Sequence, residues 1–223
     1  GFVVEMWFNE WEFESLDLNP SVGPSAVTMI KLGAKDSLLM RRDGEWWRLV
    51  MPMFLHAGLV HLIGNMVGLH QIGTRLELEY GARVVGPIYV LSGILATAVS
   101  AVCLPSVVSV GASGSICGLL GAHWALLVQE QCLRDTCWSC SCSLCGLLVT
   151  TVFIFAIGLL PFVDQFMHLA GMVGGLLVGV VAFGRGGSLL SYRYLDASAE
   201  DFLLLETARA SGDMWEETER GCC

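Results

Sequence analysis

Charge is what this chain has least of. Only 15% of its 223 residues are Asp, Glu, Lys or Arg, against about a quarter in an average soluble domain. Bases are the scarcer sign: 12 Lys and Arg face 21 Asp and Glu, a net charge of −9. An acidic chain with no basic stripe excludes the electrostatic footprint of a nucleic-acid binder. A His-Glu-x-x-His zinc-protease signature is absent, which removes that route to a metal-centred hydrolase. Internal repeats and charged midplane residues are absent too, unlike many small transporters. The first residue is Gly1, and no signal-peptide pattern is visible. Phe2-Val3-Val4 ahead of Glu5 reads as the last turn of an earlier hydrophobic segment.

What is present is apolar: 54% of residues are hydrophobic, and the mean hydropathy is +0.64. Charge is also unevenly placed. Residues 1–48 hold eight acids and five bases, residues 49–184 hold five and three, and the tail from Arg185 holds eight and four. The expectation is three parts: 1–48, an end of a first helix plus an outer loop; 49–184, a membrane core; and 185–223, an acidic cytosolic tail.

A spanning helix takes roughly 20 mostly apolar residues. Five stretches qualify: about Leu49 to Gly73, Val84 to Leu104, Gly111 to Val128, Leu144 to Val163 and Phe166 to Gly184. Short loops carrying Arg75, Arg83, Arg134, Arg185 and Arg193 define the cytosolic side, while the loops Leu104–Val110 and Pro161–Gln165 carry no base. Lys31, Lys35, Arg41 and Arg42 on the long first loop run against that orientation. The fold class expected is all-α, a polytopic membrane helix bundle.

Polar groups inside a bilayer are costly and are functional candidates by default. Under this topology His61, Asn65, Ser113 and His168 fall at one depth, although they span more than a hundred positions. His61 and Asn65 share a helix face at spacing i, i+4. Ser113 opens a helix with the small row Gly114, Gly118, Ala122, and His168 lies in the first turn of one with Gly171, Gly175, Gly179. Such rows let membrane helices approach closely. Either row alone reads as ordinary packing; the Ser and His at matching ends suggest a hydroxyl activated by a base.

These residues resemble one family. Gly111-Ala112-Ser113-Gly114 is similar to the Gly-x-Ser-Gly nucleophile motif of rhomboid intramembrane proteases, and His61-x-x-x-Asn65 to their oxyanion-side pair, with His56 where they carry an extra His. Trp47-Arg48 resembles the Trp-Arg pair of their first outer loop. Gly73-x-x-x-Glu77-x-x-x-Gly81 resembles their second-helix exit. His168-Leu169-Ala170-Gly171-x-x-x-Gly175, preceded by Asp164, resembles their base-bearing sixth helix. Ala170 departs from the pattern, which commonly has Gly there. Asn19-Pro20-x-x-Gly23-Pro24-Ser25 with Leu32-Gly33-Ala34 further resembles the eukaryotic secretase-type branch.

The resemblance implies a rhomboid-like six-helix core with the first helix largely missing from this chain. It implies a serine endopeptidase that hydrolyses peptide bonds in or near transmembrane segments. Ser113 would be nucleophile and His168 general base, with His61, Asn65 and the Ser113 backbone N–H stabilising the oxyanion. No cofactor and no metal are implied. The partners implied are transmembrane protein substrates and the lipid bilayer, in the secretory pathway or plasma membrane. A pseudoprotease that binds transmembrane segments without cutting them is the alternative.

Other polar residues receive structural readings. Ser115 is a rival nucleophile but points to another helix face. Asp164 reads as a loop residue rather than an orienter of His168. His70 and His123 lie too deep for the site, and His56 reads as structural. Trp46, Trp47 and Arg48 read as an aromatic belt with a snorkelling cation, which is compatible with the structured loop embedded in the outer leaflet that the resemblance implies. Cys132, Cys137, Cys140, Cys142 and Cys145 form a juxtamembrane cluster suited better to palmitoylation than to zinc. Cys222-Cys223 could be a lipidation signal, and Phe202-Leu203-Leu204-Leu205 a short amphipathic helix.

Overall fold

A computed structural model describes residues 1–131, 138–160 and 163–183. The backbone divides into Gly1–Gly187 and Ser188–Cys223. The second unit, with Phe202–Leu205 and Cys222-Cys223, lies outside the described residues, as do Cys132, Arg134, Cys137, Arg185 and Arg193 and the side chains of Cys140 and Cys142. Every regular element among the described residues is helical; the one β contact is an isolated antiparallel bridge between Lys35 and Ser109.

Three short helices come first: α1 (Phe2–Phe8), α2 (Ala26–Leu32) and α3 (Ser37–Arg42). Their starts follow from side-chain caps. Ser25 accepts the Thr28 N–H at 3.3 Å, and Asp36 accepts those of Leu38 and Leu39 at 2.9 and 3.1 Å. Two 3-10 turns, Trp46–Leu49 and Met51–Phe54, follow. Then come α4 (Leu59–Gly68), a π-helical turn (Leu69–Gly73) and α5 (Thr74–Tyr80), which are continuous in the chain. The long helices are α6 (Ala82–Cys103), α7 (Ser113–Gln131), α8 (Trp138–Ile157) and α9 (Gln165–Phe183).

The first apolar stretch differs from its sequence expectation at both ends. Residues 49–58 form turns and loop, because Pro52 has no N–H to extend a helix and Gly58 is fully extended at φ 171°. Helix then begins at Leu59 and runs past Gly73 to Tyr80. Arg75, Glu77 and Glu79 are exposed there, so they lower the hydropathy without ending the helix; Gly81 ends it at φ 77°.

By length and composition α6 and α9 can each cross a membrane, and Leu144–Ile157 of α8 is a shorter apolar stretch. Their outward faces are apolar: Leu91, Leu95 and Val102 on α6, and Val173, Leu177 and Val181 on α9, are all exposed. The helix α7 sits in the middle, with Ile116, Cys117, Leu119, Leu120, Ala122 and Ala125 buried. Burial on several faces removes the need for one apolar stripe.

The small rows of α7 and α9 meet. A Cβ on Gly171 would overlap the Gly114 carbonyl, and one on Gly175 the Gly118 carbonyl. One on Gly179 would lie 3.0 Å from the Ala122 Cα. Side chains are therefore excluded from this seam, and the backbones touch directly. Gly175→Leu should force the two helices apart. Overpacking of this kind costs about 1–3 kcal/mol or more, so thermal unfolding in detergent should shift down by several degrees. Val181→Ala, on the exposed face, should leave the midpoint nearly unchanged; equal shifts would contradict the packing described.

Candidate active site

Ser113 is the first residue of α7, and the loop before it is shaped by Gly111 at φ 126°, a conformation that residues with a Cβ rarely adopt. The Gly111 N–H donates to the Pro52 carbonyl at 2.8 Å, tying the loop to the second 3-10 turn. Against Gly111 lie two side chains of α4. A Cβ built there would be 2.6 Å from His61 Cε1, 2.8 Å from His61 Nε2 and 3.4 Å from Asn65 Nδ2. His61 and Asn65 are thus brought together to the chain entering Ser113, from the one face of α4 that their i, i+4 spacing gave them.

The chemistry of these groups is directional. His61 Nδ1 accepts the Ala57 N–H at 3.4 Å. In a neutral imidazole that leaves Nε2, the ring nitrogen nearer Gly111, as the N–H donor. Asn65 is 6% exposed, and its Nδ2 is buried without a hydrogen-bond partner among the described residues. Buried donors are ordinarily paired. An unpaired amide beside a helix N-terminus is suited to receive a negative oxygen.

His168 stands in the first turn of α9, 5% exposed, with Nδ1 buried and unpartnered. Its neighbour Met167 packs on α7: a Cβ on Gly114 would be 2.9 Å from Met167 Cγ. The first turns of α7 and α9 are therefore side by side. Among the described residues no hydrogen bond joins Ser113 Oγ to His168. Ser113 is half-buried. Catalytic hydrogen bonds are often open before substrate binds.

The rival Ser115 is 1% exposed and turned toward α6, where a Cβ on Gly93 would overlap its Oγ. His70 is exposed and lies 3.3 Å from Thr74 Oγ1, while His123 Nδ1 is 3.3 Å from the Leu119 carbonyl of its own helix. His56 is buried, its ring centroid 5.7 Å from that of His61, and its backbone N–H donates to the Glu5 carboxylate at 3.1 and 3.2 Å. Asp164 caps α9, accepting the Met167 N–H at 3.0 Å.

Arg48 corrects the reading of a snorkelling cation. It is 3% exposed, donates to the Ile30 and Ala34 carbonyls at 2.7 and 2.9 Å and to Glu45 at 2.6 Å, and stacks 4.7 Å from the Trp47 ring. Its charge organises the loop instead of reaching for water, while Trp46 and Trp47 stay exposed. Sequence reasoning also missed Lys35, a fully buried cation whose partners Ser100 and Leu104 lie 65 and 69 residues away. No local pattern announces such a pairing.

With the fold and these groups in place, comparison with known proteins is direct. Residues 43–185 match the rhomboid domain. The chain is 38% identical over 181 residues to RHOMBOID-like protein 6, mitochondrial, of Arabidopsis thaliana, covering 81% of this chain and 58% of that protein. It is 37% identical over 185 residues to RHOMBOID-like protein 1 of the same plant, covering 81% of this chain and 46% of that one. It is 34% identical over 188 residues to the rhomboid protease GluP of Bacillus subtilis (strain 168), covering 79% of this chain and 34% of GluP. The chain belongs to the rhomboid family, whose members are integral membrane proteins. It spans about half the length of the plant relatives it matches.

Gly111→Ala would place a methyl against the His61 ring in a backbone conformation that costs about 1–3 kcal/mol for a residue with a Cβ. The expected result is a lower unfolding midpoint and faster hydrogen exchange of the loop backbone around Gly111. Wild-type behaviour in both would show that the loop tolerates the methyl.

Proposed function

We propose that the protein is an intramembrane serine endopeptidase working through a Ser113–His168 dyad. What supports the proposal is the approach of three helix segments: the first turn of α7, opened by Ser113, packs beside the first turn of α9, which carries His168, and His61 and Asn65 of α4 lie against Gly111 in the loop before Ser113. In this reading Ser113 Oγ attacks the scissile carbonyl while His168 takes its proton, then returns a proton to the leaving amine. A water molecule, activated by the same imidazole, hydrolyses the acyl-enzyme. His61 Nε2, Asn65 Nδ2 and the Ser113 N–H receive the oxyanion. The substrate is a transmembrane segment entering at the end of the bundle where these groups lie, taken here as the outer side. The fold of this reading is the six-helix rhomboid bundle, with α4–α5, α6, α7, α8 and α9 as five of its crossings.

A second reading, binding without cleavage, is raised by another Arabidopsis thaliana relative, named inactive RHOMBOID-like protein 8 and 31% identical over 165 residues. The presence of both Ser113 and His168 in this chain favours the enzyme. As to compartment, the secretase-type resemblance of Asn19–Ser25 supports the secretory pathway or plasma membrane, whereas the mitochondrial name of one relative points elsewhere. Localisation of the tagged full-length protein decides between them.

Two predictions follow from the chemistry. Cleavage of a single-pass reporter in membranes by the full-length protein should vanish in Ser113→Ala and in His168→Ala; equal cleavage by all three would defeat the enzymatic reading. Loss of one oxyanion donor in Asn65→Ala should lower kcat by about 10²-fold, as such donors are typically worth roughly 3 kcal/mol. That variant should fold normally, because no protein partner of Nδ2 is lost.

A further inference from the structure

Lys35 lies in the linker between α2 and α3 and is completely buried. Its Nζ donates to Ser100 Oγ and to the Leu104 carbonyl, each at 2.9 Å, and stands 4.0 Å from Asp164 Oδ2. Asp164 Oδ2 also accepts the hydroxyls of Ser100 and, at 2.7 Å, Ser109. The other oxygen, Oδ1, accepts the Met167 N–H. The Lys35 backbone pairs with Ser109 in both directions: Lys35 N–H to Ser109 O at 2.9 Å, and Ser109 N–H to Lys35 O at 3.3 Å.

Four segments therefore converge on one buried ion pair: the α2–α3 linker, the end of α6, the loop leading into α7, and the N-cap of α9. Ser109 is two residues before Gly111 and four before Ser113; Met167 adjoins His168. Burial pushes the ammonium below its ordinary pKa, and Asp164 and then Asp36 act against that shift. Desolvating such a pair is expensive, and replacing it with apolar groups is often neutral or stabilising. Its hydrogen bonds go to the two strands of chain that deliver the proposed nucleophile and base.

We propose that Lys35 is a positioning residue, which through Asp164, Ser100 and Ser109 holds the loop entering Ser113 in register with the first turn of α9 carrying His168. This rests on the protease reading above. Lys35 touches no reacting atom; it acts by fixing the two segments relative to each other. Misplacement of catalytic groups by an ångström costs reaction rate rather than substrate binding.

The test uses the full-length protein in vesicles, with Lys35→Met, Asp164→Asn and the double variant. Asn keeps a side-chain oxygen able to cap α9, so Asp164→Asn removes charge with the cap retained. Measured are kcat and KM for a single-pass reporter, the rate of fluorophosphonate labelling and the unfolding midpoint. Each single variant should lose about tenfold in kcat and in labelling rate, with KM within about twofold. The double variant, free of an unpaired buried charge, should be no worse than either single one. Should Lys35→Met not fold, Lys35→Arg, which keeps the charge in a different shape, and Asp164→Asn carry the same comparison. Lower midpoints with kcat and labelling rate per folded molecule unchanged would reduce Lys35 to a stabilising residue and overturn the inference. Failure of the wild type to label, or labelling that persists in Ser113→Ala, would instead sink the protease reading, and the inference falls with it. Wild-type labelling with indifferent Lys35 and Asp164 variants overturns the inference alone.

Discussion

The structure depends on two helices that touch through their backbones. Where Gly171 and Gly175 of α9 meet Gly114 and Gly118 of α7, carbonyl oxygens occupy the space that side chains would need. Hydrophobic attraction does not drive apolar helices together inside lipid; close van der Waals contact does. This contact also sets the axial level of one helix against the other. A seam that interdigitates atom by atom does not slide, so the first turns bearing Ser113 and His168 are held level by contacts that continue two and three turns away.

Around that seam the polar groups divide into two kinds. Lys35, Asp164, Arg48 and Asn19 are paired and tie the loops together; Asn19 Nδ2, for example, bridges the Pro24 and Ala57 carbonyls at 3.0 and 2.7 Å. Asn65 Nδ2 and His168 Nδ1 are buried and unpaired among the described residues, as are others such as both ring nitrogens of His56 and Gln165 Oε1. Leaving a buried donor or acceptor without a partner costs about 1–3 kcal/mol. The paired set supplies the rigidity that makes such unpaired groups tolerable.

Much of this was legible in the sequence where the signal is periodic. The rows Gly114-Gly118-Ala122 and Gly171-Gly175-Gly179 named the seam, and the long apolar runs located α6 and α9 to within a few residues. Hydropathy failed at α4. It took Leu49–Gly58 as helix, because Leu, Val, Met and Phe are apolar whether they coil or turn, and it stopped short of Tyr80, because exposed charges look like an ending. The association of His61 and Asn65 with Gly111 was approached only through depth and resemblance. The positive φ of Gly111 and the burial of Lys35 and Arg48 depend on contacts far apart in the chain, and composition near those residues says nothing of them.

The π-helical turn at Leu69–Gly73 separates the half of its helix that carries His61 and Asn65 from the half that carries buried Leu76. A π-turn holds one residue more than an α-turn, so every later side chain falls about 100° behind an uninterrupted α count. Heptad-style counting from Asn65 onward therefore misassigns the lining of α5. The same surplus makes this turn a length buffer: losing one residue there would restore an α-turn while both halves keep their own faces toward the bundle.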